Sequence, residues 1–396
     1  MKIILIAPLV SHATIGRIAA LVSTNIDVVL IDVSSRESNF SNKTYPINKI
    51  KKIYSLKLWE IDDFFLNNVS ILERLKDILR SYSIISENKT VLNKVSEILK
   101  NEKPDFVFLF YGPVAIHFLR IVKKINIQLK TVLIPNLIPS TIVSGNPVMK
   151  LLKKSISNEF INYQNWLIKT DLVFTASLEM KSFIMKKFNF KSHLIHVIPD
   201  LHPKSFFVEK EKILSSENNS NSLIFLGAPE RWGGKIDNID LELNEIINNN
   251  IQLTVNENVK NNSNLKCNSY KYFSDDQVFK GDLADSVYKN KVALITYNVK
   301  TPSERFRSTL PTRFFTALSA GLVIAVKSGH FKAVESFISK YDIGFVYKDI
   351  SQLKYELQNK NKLALHSKNI IENLSIFTAE SQSEKISKIL KNYVEK

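Results

Sequence analysis

Three arginines cluster late in the chain and could bind an anion together. Arg305, Arg307 and Arg313 follow a predicted buried strand at residues 293–296. Open α/β sheets bind ligands outside the carboxyl ends of their strands, so these side chains are expected at a ligand-binding edge. A guanidinium group can contact two phosphate oxygens at once, which makes arginine well suited to phosphate. The segment therefore predicts a phosphate site, and the alternative is a basic loop that caps an ordinary helix.

The same segment contains a predicted helix start that would add to such a site. Pro311 suits the first turn of a helix because it has no amide hydrogen to leave unpaired. The amides of Thr312 and Arg313, together with the positive end of the helix dipole, then favour an anion. Gly321 is placed to end this helix before the next strand.

The elements that position these residues follow a regular pattern through the first half of the chain. Short apolar runs alternate with segments of helical spacing, which is typical of parallel strands buried on both faces. The predicted strands lie at residues 2–7, 27–32, 106–110, 131–134, 172–176 and 196–198. This pattern predicts a doubly wound α/β domain.

After a polar connection at residues 209–221 the α/β pattern begins again. Strands are predicted at residues 222–227, 251–255, 292–296, 322–326 and 344–347, with helices at 241–248, 312–320, 331–340, 351–359 and 380–394. We therefore expect two tandem doubly wound Rossmann-like domains with a cleft between them. The predicted divisions are residues 1–205, residues 206–378, and a last segment, residues 379–396, that crosses back to the first domain.

The amino-acid composition limits the kinds of ligand and surface that the protein is expected to bind. Lys and Arg number 54 against 38 for Asp and Glu, a net charge of +16, which favours phosphate-bearing or anionic partners. The single cysteine excludes an internal disulfide framework and a cysteine-based zinc site, and we expect no metal and no cofactor. The longest apolar stretch, residues 106–119, is about 14 residues and falls short of the roughly 20 that span a bilayer. A soluble or peripheral protein is expected, cytoplasmic or at the inner face of a membrane.

Four segments, in order along the chain, resemble the two-domain GT-B glycosyltransferases, most nearly glycosyltransferase group 1, or family 4. Residues 103–107 resemble that family's Lys-Pro-Asp entry to a central strand, and residues 170–177 its Ala-Asp-x-Val-x-x-x-Ser strand. Residues 197–200 resemble the Val-Ile-Pro-Asn that ends the first domain. Residues 310–325 resemble the stretch that binds the nucleotide sugar. The resemblance implies a GT-B fold and transfer of a sugar from a nucleotide-activated donor.

The resemblance also implies which residues bind the donor. In the loop that opens the second domain it implies that a basic pair, Arg231 and Lys235, contacts the diphosphate, beside Gly227. The remaining donor-binding residues that we predict are Arg305, Arg307, Thr309, Leu310, Pro311, Thr312, Arg313 and Thr316. The alternative for the Arg231 loop is a flexible surface turn with incidental charges.

The chain departs from the family pattern at two positions. Family members usually carry two glutamates there, the second of which receives the ribose hydroxyls, and this sequence has Ser308 and Thr316 instead. A threonine would make at best one weaker hydrogen bond to the ribose. The sequence leaves a retaining or an inverting course open.

Two residues of the first domain are candidates for the catalytic centre. His12 follows the first predicted strand and Tyr111 follows the strand at residues 106–110, so both are expected to face the cleft. Either could contact the transferred sugar or the acceptor, and a structural role is the alternative for each. His117 is expected in the core.

The leading interpretation is a glycosyltransferase that acts on a carbohydrate or lipid-linked acceptor, in cell-surface glycan synthesis. The acid-free residues 106–158, with Lys150, Lys153 and Lys154, suggest contact with anionic lipid, and a solvated basic face is the alternative. A second hypothesis is a GT-B-like binding or scaffolding subunit without activity, favoured by the missing glutamates. Binding of nucleic acid is not expected, because no aromatic-interleaved basic stretch is present.

Overall fold

The chain divides into two units in the computed structural model. The structure describes residues 1–9, 12–34, 45–56, 89–110, 112–135, 167, 169–215, 222–227, 240–263, 265–271, 273, 277–278, 281–296 and 304–395. One unit comprises Met1–Pro199 together with Ile386–Lys396, and the other comprises Asp200–Lys385. The first unit is therefore built from two separate stretches of sequence.

A seven-stranded parallel sheet forms the centre of the first unit. Its strand order is β3-β2-β1-β4-β5-β6-β7. All five residues of β4 are buried, which explains why this strand is apolar without alternation. The strands are β1 (Lys2–Ala7), β2 (Asp27–Asp32), β3 (Lys52–Ser55), β4 (Phe106–Phe110), β5 (Lys130–Ile134), β6 (Leu172–Thr175) and β7 (Ile195–Val197).

Helices connect these parallel strands. Ser177 caps the last of them by accepting a hydrogen bond from the amide of Met180, and Asn189 ends it in the left-handed conformation. The described helices are α1 (His12–Val22), α2 (Lys89–Glu102), α3 (Gly112–Ile125) and α4 (Leu178–Phe188), with 3₁₀ turns at Ile47–Lys49 and Ser192–Leu194.

A six-stranded parallel sheet forms the centre of the second unit, in the order β10-β9-β8-β11-β12-β13. Its central strands β11 and β12 pair in register from Val292 with Val323 to Ile295 with Val326. The strands are β8 (Leu223–Phe225), β9 (Leu253–Asn256), β10 (Asn268–Tyr270), β11 (Val292–Ile295), β12 (Val323–Lys327) and β13 (Gly344–Tyr347).

The helices of the second unit include two short ones that flank the predicted binding segment. Gly321, at φ 73°, follows one of them in the left-handed region, as expected for a glycine that ends a helix. The described helices are α5 (Lys210–Ser215), α6 (Asp240–Asn248), α7 (Glu257–Ser263), α8 (Asp282–Val287), α9 (Glu304–Ser308), α10 (Thr312–Ser319), α11 (Lys332–Tyr341), α12 (Ile350–Gln358) and α13 (Lys360–Glu372). 3₁₀ turns lie at Lys204–Phe206, Leu374–Phe377 and Ala379–Gln382.

The last helix, α14 (Ser383–Val394), joins the first unit from Ile386 onward. Ile386 and Leu390 are fully buried, and the Tyr393 ring lies 6.1 Å from that of Phe106. The Tyr393 hydroxyl donates a hydrogen bond to Asp171, 3.1 Å away. Because Asp171 precedes β6, this bond ties the end of the chain to the first sheet.

Two parallel sheets with helices between their strands confirm the predicted α/β fold class. Strands β3 and β10 were not predicted, because both lie at sheet edges and their half-exposed, partly polar residues give no apolar run. Residues 257–263 form α7 and Glu304–Ser308 forms α9, two helices that the sequence analysis did not predict. No helix among the described residues is long and apolar enough to cross a membrane.

Candidate functional site

Polar side chains collect where the strands of the second sheet end. Its strands are all parallel, so their carboxyl ends meet at one edge. Ligands of α/β sheets bind at this edge, which makes it the candidate site. The polar residues that end or directly follow these strands include Asn256, Tyr270, Thr296, Lys327 and Tyr347.

Helix α10 begins at this edge. Pro311 directly precedes the helix, one position earlier than predicted, with φ −72° and ψ 149°, and makes no side-chain cap. Thr312 is exposed, whereas Thr309 and Leu310 are buried beneath the helix start. The first-turn amides and the positive end of the helix dipole are suited to an anion.

Arg313 is held in a fixed position at the same edge. Its Nη1 donates a hydrogen bond to the carbonyl oxygen of Thr296, 3.4 Å away. Its guanidinium lies 5.1 Å from the centre of the Phe225 ring, a cation–π distance. Burial raises the pKa of Tyr270, and the hydrogen bond with Asn256 and the charge of Arg313 oppose that rise. Arg313 is thus a half-buried cation placed by the ends of β8, β10 and β11.

The other two arginines of the predicted cluster lie on α9. Arg307 is half-buried, and the side chain of Arg305 lies outside what the structure describes. Phe306, between them, packs its ring 6.2 Å from that of Phe331 and attaches α9 to the segment after β12. Helix α9 therefore packs on the segment that follows β12, and it ends four residues before α10 begins.

Thr316 is buried, with 5% of its surface exposed. Its hydroxyl donates a hydrogen bond to the carbonyl oxygen of Thr312, 3.3 Å away, one turn earlier in α10. The proton of this hydroxyl is thereby used inside the helix, and its oxygen can still accept a hydrogen bond.

A buried carboxylate that the sequence analysis did not identify lies at the same edge. Glu242, in the first turn of α6, is 7% exposed. Its Oε2 accepts a hydrogen bond from the Thr296 hydroxyl at 2.7 Å, and its Oε1 accepts one from the Tyr347 hydroxyl at 2.9 Å. Lys327 Nζ lies 3.5 Å from Oε1. An acid between two leucines in a helix that follows β8 was the one signal in the sequence.

Two titratable groups around Glu242 are shifted by burial. Burial raises the pKa of the Tyr347 hydroxyl, and the charge of Glu242 adds to the rise. Burial also lowers the pKa of His330, which is 8% exposed, and its Nδ1 has no hydrogen-bond partner among the described residues. Both groups are therefore neutral at neutral pH. Arg313, Thr296, Glu242 and Tyr347 form one connected polar network across the edge.

The loop after β8 is only partly described. Gly227 is buried, and a Cβ atom there would overlap the ring of Phe225. A larger residue at this position would displace the ring on which Arg313 lies. Arg231 and Lys235, the predicted basic pair, lie outside the described residues.

In the first unit, a buried aspartate binds the backbone of the chain shortly after β1. Asp32 ends β2 and is 6% exposed. Its Oδ1 accepts hydrogen bonds from the amide of Leu9 at 2.9 Å, the amide of Ser34 at 2.9 Å and the Ser34 hydroxyl at 2.6 Å. His12 is the first residue of α1, but its side chain and the whole of Tyr111 lie outside what the structure describes.

His117 is 7% exposed on α3, and burial lowers its pKa to about 4, so it is a neutral core residue. Within the described ranges, no group of three His, Cys, Asp or Glu side chains could hold a metal ion. Lys150, Lys153 and Lys154 fall in the part of the chain that is not described.

Comparison with models of known protein families finds no match, and comparison with curated proteins finds none. Solved structures do match. The chain is similar to a sucrose-phosphate synthase from Thermosynechococcus elongatus, with TM-score 0.67 and 10% identity over 100% of both chains. It is also similar to HepE from Anabaena in complex with UDP, with TM-score 0.63 and 11% identity over 99% of this chain and 100% of that one. A glycosyltransferase from Rickettsia africae gives TM-score 0.61 and 14% identity over 99% and 98%.

Proposed function

The chain has the fold of the GT-B glycosyltransferases, and we propose that it is an enzyme that transfers a sugar from a nucleotide-activated donor. The observation that carries the proposal is Arg313, positioned by Thr296 and Phe225 beside the start of α10 at the carboxyl edge of the second sheet. A preplaced cation and a helix start at one edge are suited to a diphosphate.

In the reaction, the bond between the anomeric carbon and the diphosphate oxygen breaks, and the acceptor oxygen forms the new bond as its proton departs. Negative charge develops on the leaving diphosphate, so fixed positive groups there lower the barrier. We assign this role to Arg313 and the α10 amides, with Arg305, Arg307, Arg231 and Lys235. No metal enters the proposed step.

The nucleotide is expected to lie over Gly227 and the start of α10. The approach to the helix is shaped by the residues at its start, Thr309, Leu310, Pro311 and Thr312. Thr316 accepts a hydrogen bond from at most one ribose hydroxyl. HepE was solved with UDP and with UDP-glucose, which makes these the first donors to test.

His12 and Tyr111 remain proposals for the catalytic centre, on the ground that each follows a strand of the first sheet at its carboxyl end. Asp32 accepts a hydrogen bond from the amide of Leu9, shortly before His12. The acceptor is proposed to be a carbohydrate or a lipid-linked glycan of the cell surface, with the enzyme in the cytoplasm or at the inner face of the membrane.

The proposal is tested first by binding. A ligand that binds only the folded state raises the melting temperature. We expect a rise with at least one of UDP, ADP, GDP and their sugars, and loss of that rise in Arg313→Ala. If none of them raises it and calorimetry detects no binding, the chain is not a nucleotide-sugar enzyme.

The internal bond of Thr316 favours one other function, a GT-B-like subunit that binds without catalysis. That alternative would be supported if a donor binds tightly but is neither hydrolysed nor transferred to any of a panel of glycan acceptors. Release of nucleoside diphosphate that depends on acceptor would exclude it.

A further inference from the structure

A groove of about 550 Å³ lies on the second unit, away from the carboxyl edge. Residues of helices α5 and α13 line it, together with Lys291. Lys291 directly precedes β11 and Thr296 directly follows it. At about 3.3 Å per residue the two lie roughly 16 Å apart along the strand, so the groove is separate from the candidate donor site.

Part of the lining of the groove is apolar, and we call this part the floor. Ile213 of α5 is 3% exposed and Ile371 of α13 is 8% exposed, and both line the groove. Leu214, at the rim, is 62% exposed, which is unusual for a leucine beside a concave surface. The volume lies within the range of about 300–1,000 Å³ that holds small ligands in proteins.

The walls of the groove are positively charged. Lys210, Lys291 and Lys368 line it, against one carboxylate, Glu372, which lies 3.8 Å from Lys368. Lys291 is half-buried, burial lowers its pKa, and no carboxylate among the described residues pairs with it. A partly desolvated ammonium without a counter-charge gains from an anion placed beside it.

We propose that this groove binds a single-chain anionic amphiphile, with its phosphate or carboxylate head at Lys291 and its chain on the floor between α5 and α13. The apolar floor accounts for the chain, and the excess of lysines accounts for the charge of the head. A volume of about 550 Å³ is the size of a site for one small ligand, which favours a single bound molecule. The inference does not depend on the proposed transferase activity.

The experiment is calorimetry on the full chain with dodecyl phosphate below its critical micelle concentration. We expect one saturable site. Inorganic phosphate lacks the alkyl chain and dodecanol lacks the negative charge. Each should therefore bind at least about 10-fold more weakly than dodecyl phosphate. Equal binding by inorganic phosphate would make the groove a plain anion site, equal binding by dodecanol would make it a plain apolar one, and either result would overturn the proposal.

Two variants and a control locate the site. Lys291→Met keeps the apolar stem and removes the charge, and we expect about 10-fold weaker binding of dodecyl phosphate. Lys289→Met, an exposed lysine two residues earlier that does not line the groove, should change nothing. Ala364→Trp fills the groove from an exposed position on α13 and should abolish binding without loss of melting temperature.

An acidic amphipathic helix of another protein could in principle match the same charges. If dodecyl phosphate does not bind, and an acidic amphipathic peptide does so in a manner lost in Lys291→Met, the groove is a peptide site and the amphiphile is excluded. Binding of dodecyl phosphate that survives both groove variants would likewise overturn the proposal.

Discussion

At the residue scale, the candidate site depends on side chains whose positions are fixed before any ligand arrives. Arg313 is held from two directions, by the Thr296 carbonyl and by the face of Phe225. A guanidinium held in this way loses little freedom when it binds an anion, so more of its hydrogen-bond energy is available for binding.

Arg313→Ala should therefore weaken nucleoside diphosphate binding about 10-fold or more, because a hydrogen bond to a charged group contributes about 1.5–3 kcal/mol. Arg307→Ala is expected to act in the same direction. Calorimetry measures the affinity, and circular dichroism verifies the fold. Lys289→Ala, an exposed lysine before β11 at the opposite end of that strand, is the matched control and should bind normally. Unchanged affinity in both arginine variants would place the donor site elsewhere.

Thr316 can be tested by two opposite substitutions. Thr316→Glu should preserve or strengthen donor binding, because a carboxylate can accept both ribose hydroxyls where the native hydroxyl accepts one. Thr316→Val keeps the shape and removes the hydroxyl, which measures what the native group contributes beyond its bond to Thr312. A large loss of affinity in Thr316→Glu with the fold intact would mean that the pocket is built around threonine for a different donor.

At the element scale, Glu242 joins α6 to the ends of β11 and β13 through two buried hydroxyls. Glu242→Ala would remove the carboxylate that accepts from both hydroxyls, at a cost of about 1–3 kcal/mol for each hydroxyl left unpaired. The free energy of unfolding from urea denaturation should fall accordingly. Glu245→Ala, an exposed acid one turn later on the same helix, should be nearly neutral. Equal effects of the two substitutions would show that the network does not stabilise the sheet edge.

The end of α14 is held by a similar arrangement in the first unit. Asp171 accepts hydrogen bonds from the Thr131 amide at 2.7 Å and from Lys123 at 2.9 Å, as well as from Tyr393. Burial, with the charge and hydrogen bond of Asp171, raises the pKa of Tyr393 from 10.0 to about 12. The neutral hydroxyl is thus favoured by folding.

The stability that Tyr393 contributes should be complete below pH 10 and lost as the pH rises from 10 to about 12. Tyr393→Phe should lower the melting temperature at pH 8 and remove this part of the alkaline dependence. Tyr355→Phe, on the exposed face of α12, serves as the control. If the melting temperature of Tyr393→Phe depends on alkaline pH in the same way as that of the parent protein, this role is contradicted.

The sequence patterns predicted the strands that are buried on both faces. Strand β4 is buried on both faces, and its run of five apolar residues predicts a strand. Strands β3 and β10 lie at the edges of their sheets and have no such run. In the site, Arg313 and the α10 start were predictable because they are neighbours in sequence. Glu242 was not, because its partners Thr296 and Tyr347 lie 54 and 105 residues away, and only the folded sheet brings them together.

At the scale of the whole molecule, the excess of positive charge suggests a membrane surface. If the lysines at 150, 153 and 154 face lipid, the protein should co-sediment with anionic vesicles far more than with neutral ones, and less as salt shortens the Debye length below about 10 Å. Replacing all three by Gln should remove roughly 3 kcal/mol of attraction. Donor affinity should be unchanged. Equal binding to anionic and to neutral vesicles would show that these lysines belong to a solvated surface.

The discontinuous first unit has a consequence for how the protein is made. Domains generally fold as the ribosome delivers them, beginning at the N-terminus. Here residues 1–199 emerge first, yet Ile386, Leu390 and Tyr393 are delivered only after the entire second unit. The unit that is synthesised first is therefore completed last, and a stop codon at position 386 would remove Ile386, Leu390 and Tyr393 from the first unit while leaving every residue of the second in place.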